Sequence, residues 1–237
     1  MKKDIFENLF EGKEFKSLVK KTAGFKKQTP TPKRQFDQFI ATAETVARRA
    51  MLLDNFDDLQ SKNILFLGDD DFTSLACASL EKSTQTTVVD IDQRILQNIK
   101  RISDKNNFNI TALHYDATDP LPKNLLGKFD AVFTDPPYTP NGISLFLSRA
   151  IDALNKRNED SRIYICYGSG KKAKERYLPI YEILFSSGMF IKWAFDEFNE
   201  YTGAQSIGNS SSLFILEPTP KTKPSIRDSF EGNIYTY

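Results

Sequence analysis

From Asn63 onward, short β-type runs alternate with helical patterns, and this alternation constrains the fold more than any other feature. The runs are "NILFLG" (63–68), "TTVVDI" (86–91), "NITALHY" (109–115), "FDAVFTD" (129–135), "RIYICYG" (162–168), "MFIKWAF" (189–195) and "SSLFILE" (211–217). Each is rich in β-branched or aromatic residues and has the length of a strand. Helical patterns fall between most of them, at 72–81, 93–104, 142–157 and 172–187. Such alternation predicts an α/β fold: a mostly parallel, seven-stranded sheet with helices on both faces. The last two runs have no helix between them and should pair as an antiparallel ribbon.

The residues before the first strand are different. Residues 1–35 hold ten Lys/Arg against four Asp/Glu, a net +6, so the remainder carries −5 within the chain's total of +1. Ile5, Phe6, Leu9 and Phe10 stand at roughly helical spacing, and "TPTPKR" (29–34) breaks the pattern. Phe36, Ile40, Ala43, Val46, Ala47, Ala50 and Leu53 then recur at threes and fours, which predicts an amphipathic helix over 36–59. The organisation expected is a basic, helical N-terminal extension (1–60), a main α/β domain (61–224) and an irregular C-terminal tail (225–237). The opening residues lack the apolar core of a signal peptide and no run is long enough for a membrane span, so the chain reads as a cytoplasmic protein. Cys77 and Cys166 are far apart and read as reduced core thiols, and His114 as an ordinary strand-end residue. Histidine-based metal or triad chemistry has no support.

Four polar motifs lie at the carboxyl ends of expected strands, where open α/β sheets bind ligands. The first, "LGDDDFTS", places Asp69, Asp70 and Asp71 after Gly68. One aspartate capping the next helix is ordinary. Three in a row repel one another and raise their own pKa values, which marks a candidate site. The second, "VVDIDQRIL", ends in Asp90, about twenty residues past the glycine turn, where an acid commonly holds ribose; Asp92 is a competitor or a helix cap. The third, "HYDATD", offers Asp116 to an adenine amino group, or to a turn.

The fourth motif, "FTDPPYTPNG", is the most specific. Pro136–Pro137 holds the backbone extended and removes two donors, leaving carbonyls free to accept. Asp135 adds a carboxylate, Tyr138 a flat face and Thr139 a hydroxyl. Together they form an acceptor clamp for an amino group. Two weaker stretches follow. "YGSGKK" (167–172) resembles a phosphate loop with the wrong spacing and reads as a turn. "FDEFNEYTG" (195–203) sets Asp196, Glu197 and Glu200 beside Tyr201, either as a solvated loop or as the wall of a cation-binding cleft.

The strand layout is similar to that of the Rossmann-like methyltransferase superfamily, and a D-P-P-Y after the fourth strand is shared with its amino-group methyltransferases. The combination "LGDDDFTS", "VVDID" and "FDAVFTDPPYT" is narrower and resembles the branched-chain polyamine synthase family, the N(4)-bis(aminopropyl)spermidine synthases. The likeness runs from "KRQFDQFIATAETVARRAMLL" to about Pro224. It implies a Rossmann-like catalytic domain over 61–224. The implied reaction moves an aminopropyl group from decarboxylated S-adenosylmethionine to an amine of a polyamine such as spermidine, releasing methylthioadenosine. Asp69 to Asp71 correspond to the family's G-D-D-D motif, and Asp135 to Tyr138 to its D-P-P-Y. Longer relatives carry a further amino-terminal domain of winged-helix type, for which this chain has too few residues.

Charge gives the likeness a physical basis. The carboxylate of S-adenosylmethionine would be repelled by three aspartates, whereas the decarboxylated donor ends in an ammonium and a polyamine adds more positive charge. On this reading Asp71 is the expected base with Asp70 close behind, and Asp135 and the Pro136 carbonyl orient the amine, supported by Tyr138. Asp69, Thr139, Glu197 and Tyr201 would contact the polyamine, and Gly68, Asp90, Asp92 and Asp116 the nucleoside. No metal and no permanently bound cofactor is required. The expected partner is a small polyamine rather than a membrane or a nucleic acid, with a homodimer as a candidate assembly. Two other classes stay open: an S-adenosylmethionine-dependent amino-group methyltransferase acting on nucleic acid or protein, and a non-catalytic protein binding through its basic first 35 residues.

Overall fold

The computed structural model describes residues 6, 8–82, 84–168, 174–204 and 209–236. Helices α1 (Lys13–Lys26) and α2 (Ala43–Asn55) flank a short strand, β1 (Ile40–Ala41). Then come β2 (Asn63–Leu67), α3 (Thr73–Ala78), β3 (Gln85–Asp90), α4 (Gln93–Asn106), β4 (Ile110–His114) and β5 (Ala131–Thr134). The chain continues through α5 (Pro140–Ala153), β6 (Arg162–Tyr167), α6 (Tyr177–Ser186), β7 (Phe190–Thr202) and β8 (Ser210–Glu217).

All seven expected strands form, but the sheet is eight-stranded and mixed, in the order β1-β7-β8-β6-β5-β2-β3-β4. β4, β3, β2, β5 and β6 are parallel, whereas β6·β8, β8·β7 and β7·β1 are antiparallel. The ribbon expected from the last two runs is β7·β8. Strand period decides which helices cover which face. Ile64, Phe66, Val88, Phe133, Tyr164 and Ile215 point toward α1, α2, α3 and α4, while Leu65, Leu67, Val89, Val132, Ile165 and Leu216 point toward α5 and α6. Cys77 and Cys166 are buried free thiols, and His114 ends β4 exposed.

Two local expectations are corrected. The helix predicted over 36–59 begins only at Ala43, where the Thr42 side chain accepts the Thr45 N–H at 3.1 Å. Before it, Ile40 and Ala41 are extended against Thr202 and Tyr201, supplying the eighth strand. The second concerns "DEFNEYT", placed between the last two strands as a solvated loop or a cleft wall, which is instead the distal half of β7. Irregularities between Ile191 and Trp193 and between Phe195 and Asn199 re-aim the strand so that Phe198, Asn199 and Tyr201 turn inward.

The segment before β2 packs on the same core as the sheet, through Phe15, Leu18, Val46, Ala47, Ala50 and Leu53. The tail is fastened too. The buried guanidinium of Arg149 donates to the carbonyls of Ile226, Arg227 and Asp228, and Ile234 is buried. Among the described residues no helix is long and apolar enough to cross a membrane.

Candidate active site

β2 pairs with both β3 and β5, and the chain leaves these two central strands toward opposite edges of the sheet. Their carboxyl ends therefore frame the crevice where a doubly wound sheet accepts ligands. The acidic loop follows β2 and the "DPPY" loop follows β5, so topology alone brings them together.

The acidic loop is tightly wound. Gly68 takes φ +76°, which favours glycine, and donates its N–H to Val89 O at 2.8 Å. Phe72, also left-handed at φ +64°, closes the loop before α3. This conformation sends the three aspartates in different directions. Asp69 turns inward and caps α3, accepting from the Thr73 N–H at 2.7 Å and from the Ser74 hydroxyl at 2.5 Å. Burial outweighs those hydrogen bonds and pushes its carboxyl up to about 8. Asp71 is also buried, accepting from the Ala41 N–H at 2.6 Å, Arg49 Nη1 at 2.9 Å and Lys26 Nζ at 3.4 Å. Asp70 alone has no hydrogen-bond partner among the described residues, and it faces the crevice. Desolvation, then Asp71, Asp90 and Asp135, hold its carboxyl well above the ordinary carboxylate range, against the pull of Lys26.

The crevice contains a cavity of about 400 Å³, within the usual range for small-molecule sites. Asp37, Asp70 and Asp135 lie on its lining, the Asp37 carboxylate accepting from the Thr236 N–H and hydroxyl. Pro136, Tyr138, Tyr167 and Tyr201 form much of its wall, and Arg176 stands on its lining as well. A narrower space of about 80 Å³ adjoins it, lined by Gly68, Asp70, Asp90, Tyr115, Pro136 and Tyr235 among others. Asp135 accepts from Tyr138 Oη at 2.7 Å, Tyr201 Oη at 2.6 Å and Arg49 Nη2 at 2.6 Å. Both phenols are pushed well above their ordinary values by burial and by Asp135, so they remain donors.

Of the residues singled out in the sequence, the fold gathers Asp70, Asp135, Pro136, Tyr138 and Tyr201 around the larger cavity, and Gly68 and Asp90 beside the smaller one. Others are directed elsewhere. Asp71, expected as the base, and Asp69, expected to touch substrate, are committed to buried partners and line neither cavity. Asp92 caps α4 and pairs with Arg94 at 2.6 Å, which lowers its carboxyl to about 2. Asp116 accepts from the Thr118 N–H and hydroxyl inside a turn, while its neighbours Tyr115 and Ala117 line the smaller space. Thr139 caps α5 and donates to Ile234 O. Glu197 sits exposed on the irregular stretch of β7, away from both cavities. Of "YGSGKK", Gly168 lines the cavity, and 169–172 lie outside the described residues.

Arg49 and Asp37 are the notable residues that sequence reasoning missed. Arg49 is 1% exposed and lies in the apolar stripe of α2, three residues after Val46 and four before Leu53. A charge in that stripe was a visible signal, since a buried arginine needs partners. Burial opposes its charge, but Cys166, Tyr201, Asp135 and Asp71 outweigh it and raise the guanidinium pKa. Asp37 offered no such signal: it follows a 3-10 turn at φ +51° and reaches the cavity only through the path of the chain.

Known proteins resemble this chain in sequence and in fold. Residues 17–226, which contain both loops, match the model of the branched-chain polyamine synthase A C-terminal domain. The N(4)-bis(aminopropyl)spermidine synthase of Thermococcus kodakarensis is 32% identical over 94% of this chain and 60% of its own length. That of Methanocaldococcus jannaschii is 30% identical over 78% of this chain and 56% of its own length. The chain thus spans little more than half the length of these curated relatives. A crystal structure of the branched-chain polyamine synthase from Thermus thermophilus, in complex with N4-aminopropylspermidine and 5'-methylthioadenosine, superposes with a TM-score of 0.80 at 26% identity, over 92% of this chain and 68% of that one. TrmN from Thermus thermophilus, with a TM-score of 0.56 at 17% identity, shares the methyltransferase-like α/β fold alone. With the match running through both acidic loops and nearly the whole sheet, the chain belongs to the branched-chain polyamine synthase family.

Proposed function

We propose that this chain transfers an aminopropyl group from decarboxylated S-adenosylmethionine to an amine of a polyamine such as spermidine, releasing methylthioadenosine. The observation that carries the reading is the cavity at the sheet's switch point, lined by Asp37, Asp70 and Asp135, where Asp70 has no hydrogen-bond partner among the described residues. Family membership points the same way, as do the two molecules bound to the Thermus thermophilus relative.

In this reading the smaller space receives the nucleoside, beside Gly68 and Asp90, and the larger one receives the polyamine. The uncharged acceptor nitrogen attacks the aminopropyl carbon attached to sulfur. The carbon–sulfur bond breaks, and its electron pair stays on sulfur, turning the sulfonium into neutral methylthioadenosine. Where the acceptor is a secondary amine, the nitrogen becomes cationic and gives its proton to Asp70, whose carboxyl is held above the ordinary carboxylate range by burial and neighbouring carboxylates. Asp135, steadied by two phenols and Arg49, orients the amine together with the Pro136 carbonyl. An ammonium about 4 Å from a carboxylate gains several kcal/mol at an effective dielectric near 20, and the same field repels the carboxylate of the ordinary methyl donor. The segments expected as extension (1–60) and tail (225–237) supply Asp37, Tyr235 and Thr236 to the cavity walls, and we assign them to the working site.

Calorimetry with S-adenosylmethionine, its decarboxylated form and methylthioadenosine tests the donor, and mass spectrometry of spermidine incubated with the preferred donor tests the transfer. Tighter binding of the decarboxylated donor and a mass gain of one or two aminopropyl units are expected. Preference for S-adenosylmethionine with methyl transfer overturns the reading.

A further inference from the structure

The two acidic loops are joined by a group that comes from neither. Arg49 on α2 donates from Nη1 to Asp71 Oδ2 at 2.9 Å, from Nη2 to Asp135 Oδ2 at 2.6 Å and from Nε to Asn199 Oδ1 at 2.8 Å. Nη2 also lies 3.0 Å from Tyr201 Oη, which itself donates to Asp135. The guanidinium carbon stands 5.2 Å from the centre of the Phe133 ring, which limits how the plane can tilt. One rigid fork thus holds the loop after β2, the loop after β5 and the inner face of β7 at fixed separations. Asp71 and Asp135 are occupied by it, and Asp70, which shares the cavity lining with Asp135, is not.

We propose that Arg49 is a positioning residue for the transfer, setting the distance between the acidic loop and Asp135 so that Asp70 faces an amine oriented by Asp135. This inference rests on the aminopropyltransferase reading above. A lysine would keep the charge, but its single ammonium cannot reproduce two planar donations in divergent directions. Loosening the span by about 1 Å is enough to cost roughly 100-fold in rate when reacting groups must align. Because Arg49 lines neither cavity, its replacement should leave the donor affinity of each correctly folded site nearly unchanged.

The test compares the full chain with Arg49→Lys and Arg49→Met, counting competent sites in each by calorimetric binding of methylthioadenosine. The expected result is a kcat per binding site about 100-fold lower in Arg49→Lys, with the donor KM changed less than about threefold. Arg49→Met, which strands buried carboxylates, should also bind methylthioadenosine at fewer sites. A purely structural arginine would lower the number of sites and leave kcat per remaining site intact; that outcome overturns the inference while the reading survives. Full rescue by lysine overturns it as well. If the unaltered chain releases no methylthioadenosine from decarboxylated S-adenosylmethionine, the reading fails and the inference falls with it.

Discussion

The hydroxyls of Tyr138 and Tyr201 lie 2.8 Å apart and both donate to Asp135, one to each carboxylate oxygen. They come from different parts of the chain, the loop after β5 and the end of β7, and meet at this carboxylate. Each hydroxyl has one proton, so while both serve Asp135 neither donates to the other. Their effects should therefore be coupled. In a double-mutant cycle of Tyr138→Phe and Tyr201→Phe followed by thermal unfolding, each single change should cost about 1.5–3 kcal/mol. The double change should depart from additivity by about 0.5 kcal/mol or more, and an additive cycle would show the shared carboxylate to be unimportant.

Asp70 and Asp71 are neighbours in sequence with opposite expected phenotypes. Asp70→Asn should fold with undiminished thermal stability and lose about 100- to 10,000-fold in kcat, the range for removing a general base. Asp71→Asn should instead lower stability by on the order of 3 kcal/mol, since it breaks a buried pair with Arg49. Parallel unfolding curves and steady-state rates separate the two, and a stable, inactive Asp71→Asn would reverse the assignment.

The pH dependence of the reaction should follow Asp70. Its carboxyl lies above the ordinary carboxylate range in the folded chain, so kcat/KM should rise with pH along an acid limb displaced upward from that range. A limb at the position of an ordinary, solvent-exposed aspartate would argue against Asp70.

Stability should show the mirror image of this through Asp69. Its folded pKa of about 8 lies above the ordinary unfolded value of 3.8, so its contribution is fully present below pH 3.8 and is lost as pH rises toward about 8. Asp69→Asn should flatten that part of the stability–pH curve, measured by Tm between pH 5 and about 8.

Gly168 closes the larger cavity at the end of β6. A Cβ there would stand 2.6 Å from Ser210 O, 2.8 Å from Ser211 Cβ and 3.1 Å from Tyr138 Cε2. Two of these contacts belong to β8 and cannot yield cheaply. Gly168→Ala should therefore displace the β6–β8 pairing or Tyr138, lowering Tm and raising the polyamine KM together. An alanine variant with unchanged KM would show that the wall tolerates the shift.

Much of this could be read from residues alone, and the parts that could not have a common cause. The strand runs, the antiparallel ribbon and the meeting of "GDDD" with "DPPY" follow from period-2 apolar runs and the order of elements, which are local in sequence. The eighth strand was hidden because Ile40 and Ala41 also fit a helical stripe, and only Tyr201 and Thr202, far along the chain, make them extended. The distal half of β7 was hidden by its charges, Asp196, Glu197 and Glu200, three of the four exposed positions among 196–202.

The sequence by itself determined the class of fold, the two loops that meet at its crevice and the aspartates those loops carry, because each depends on short-range pattern and residue type. Tertiary structure decided which of the three carboxylates is left without a hydrogen-bond partner among the described residues. That choice turns on Gly68 and Phe72 twisting the loop at positive φ, and on Arg49 reaching partners 22, 86 and 152 positions away. Side-chain direction and partner supply are properties of the folded chain, since three adjacent aspartates are chemically alike until their surroundings make them differ.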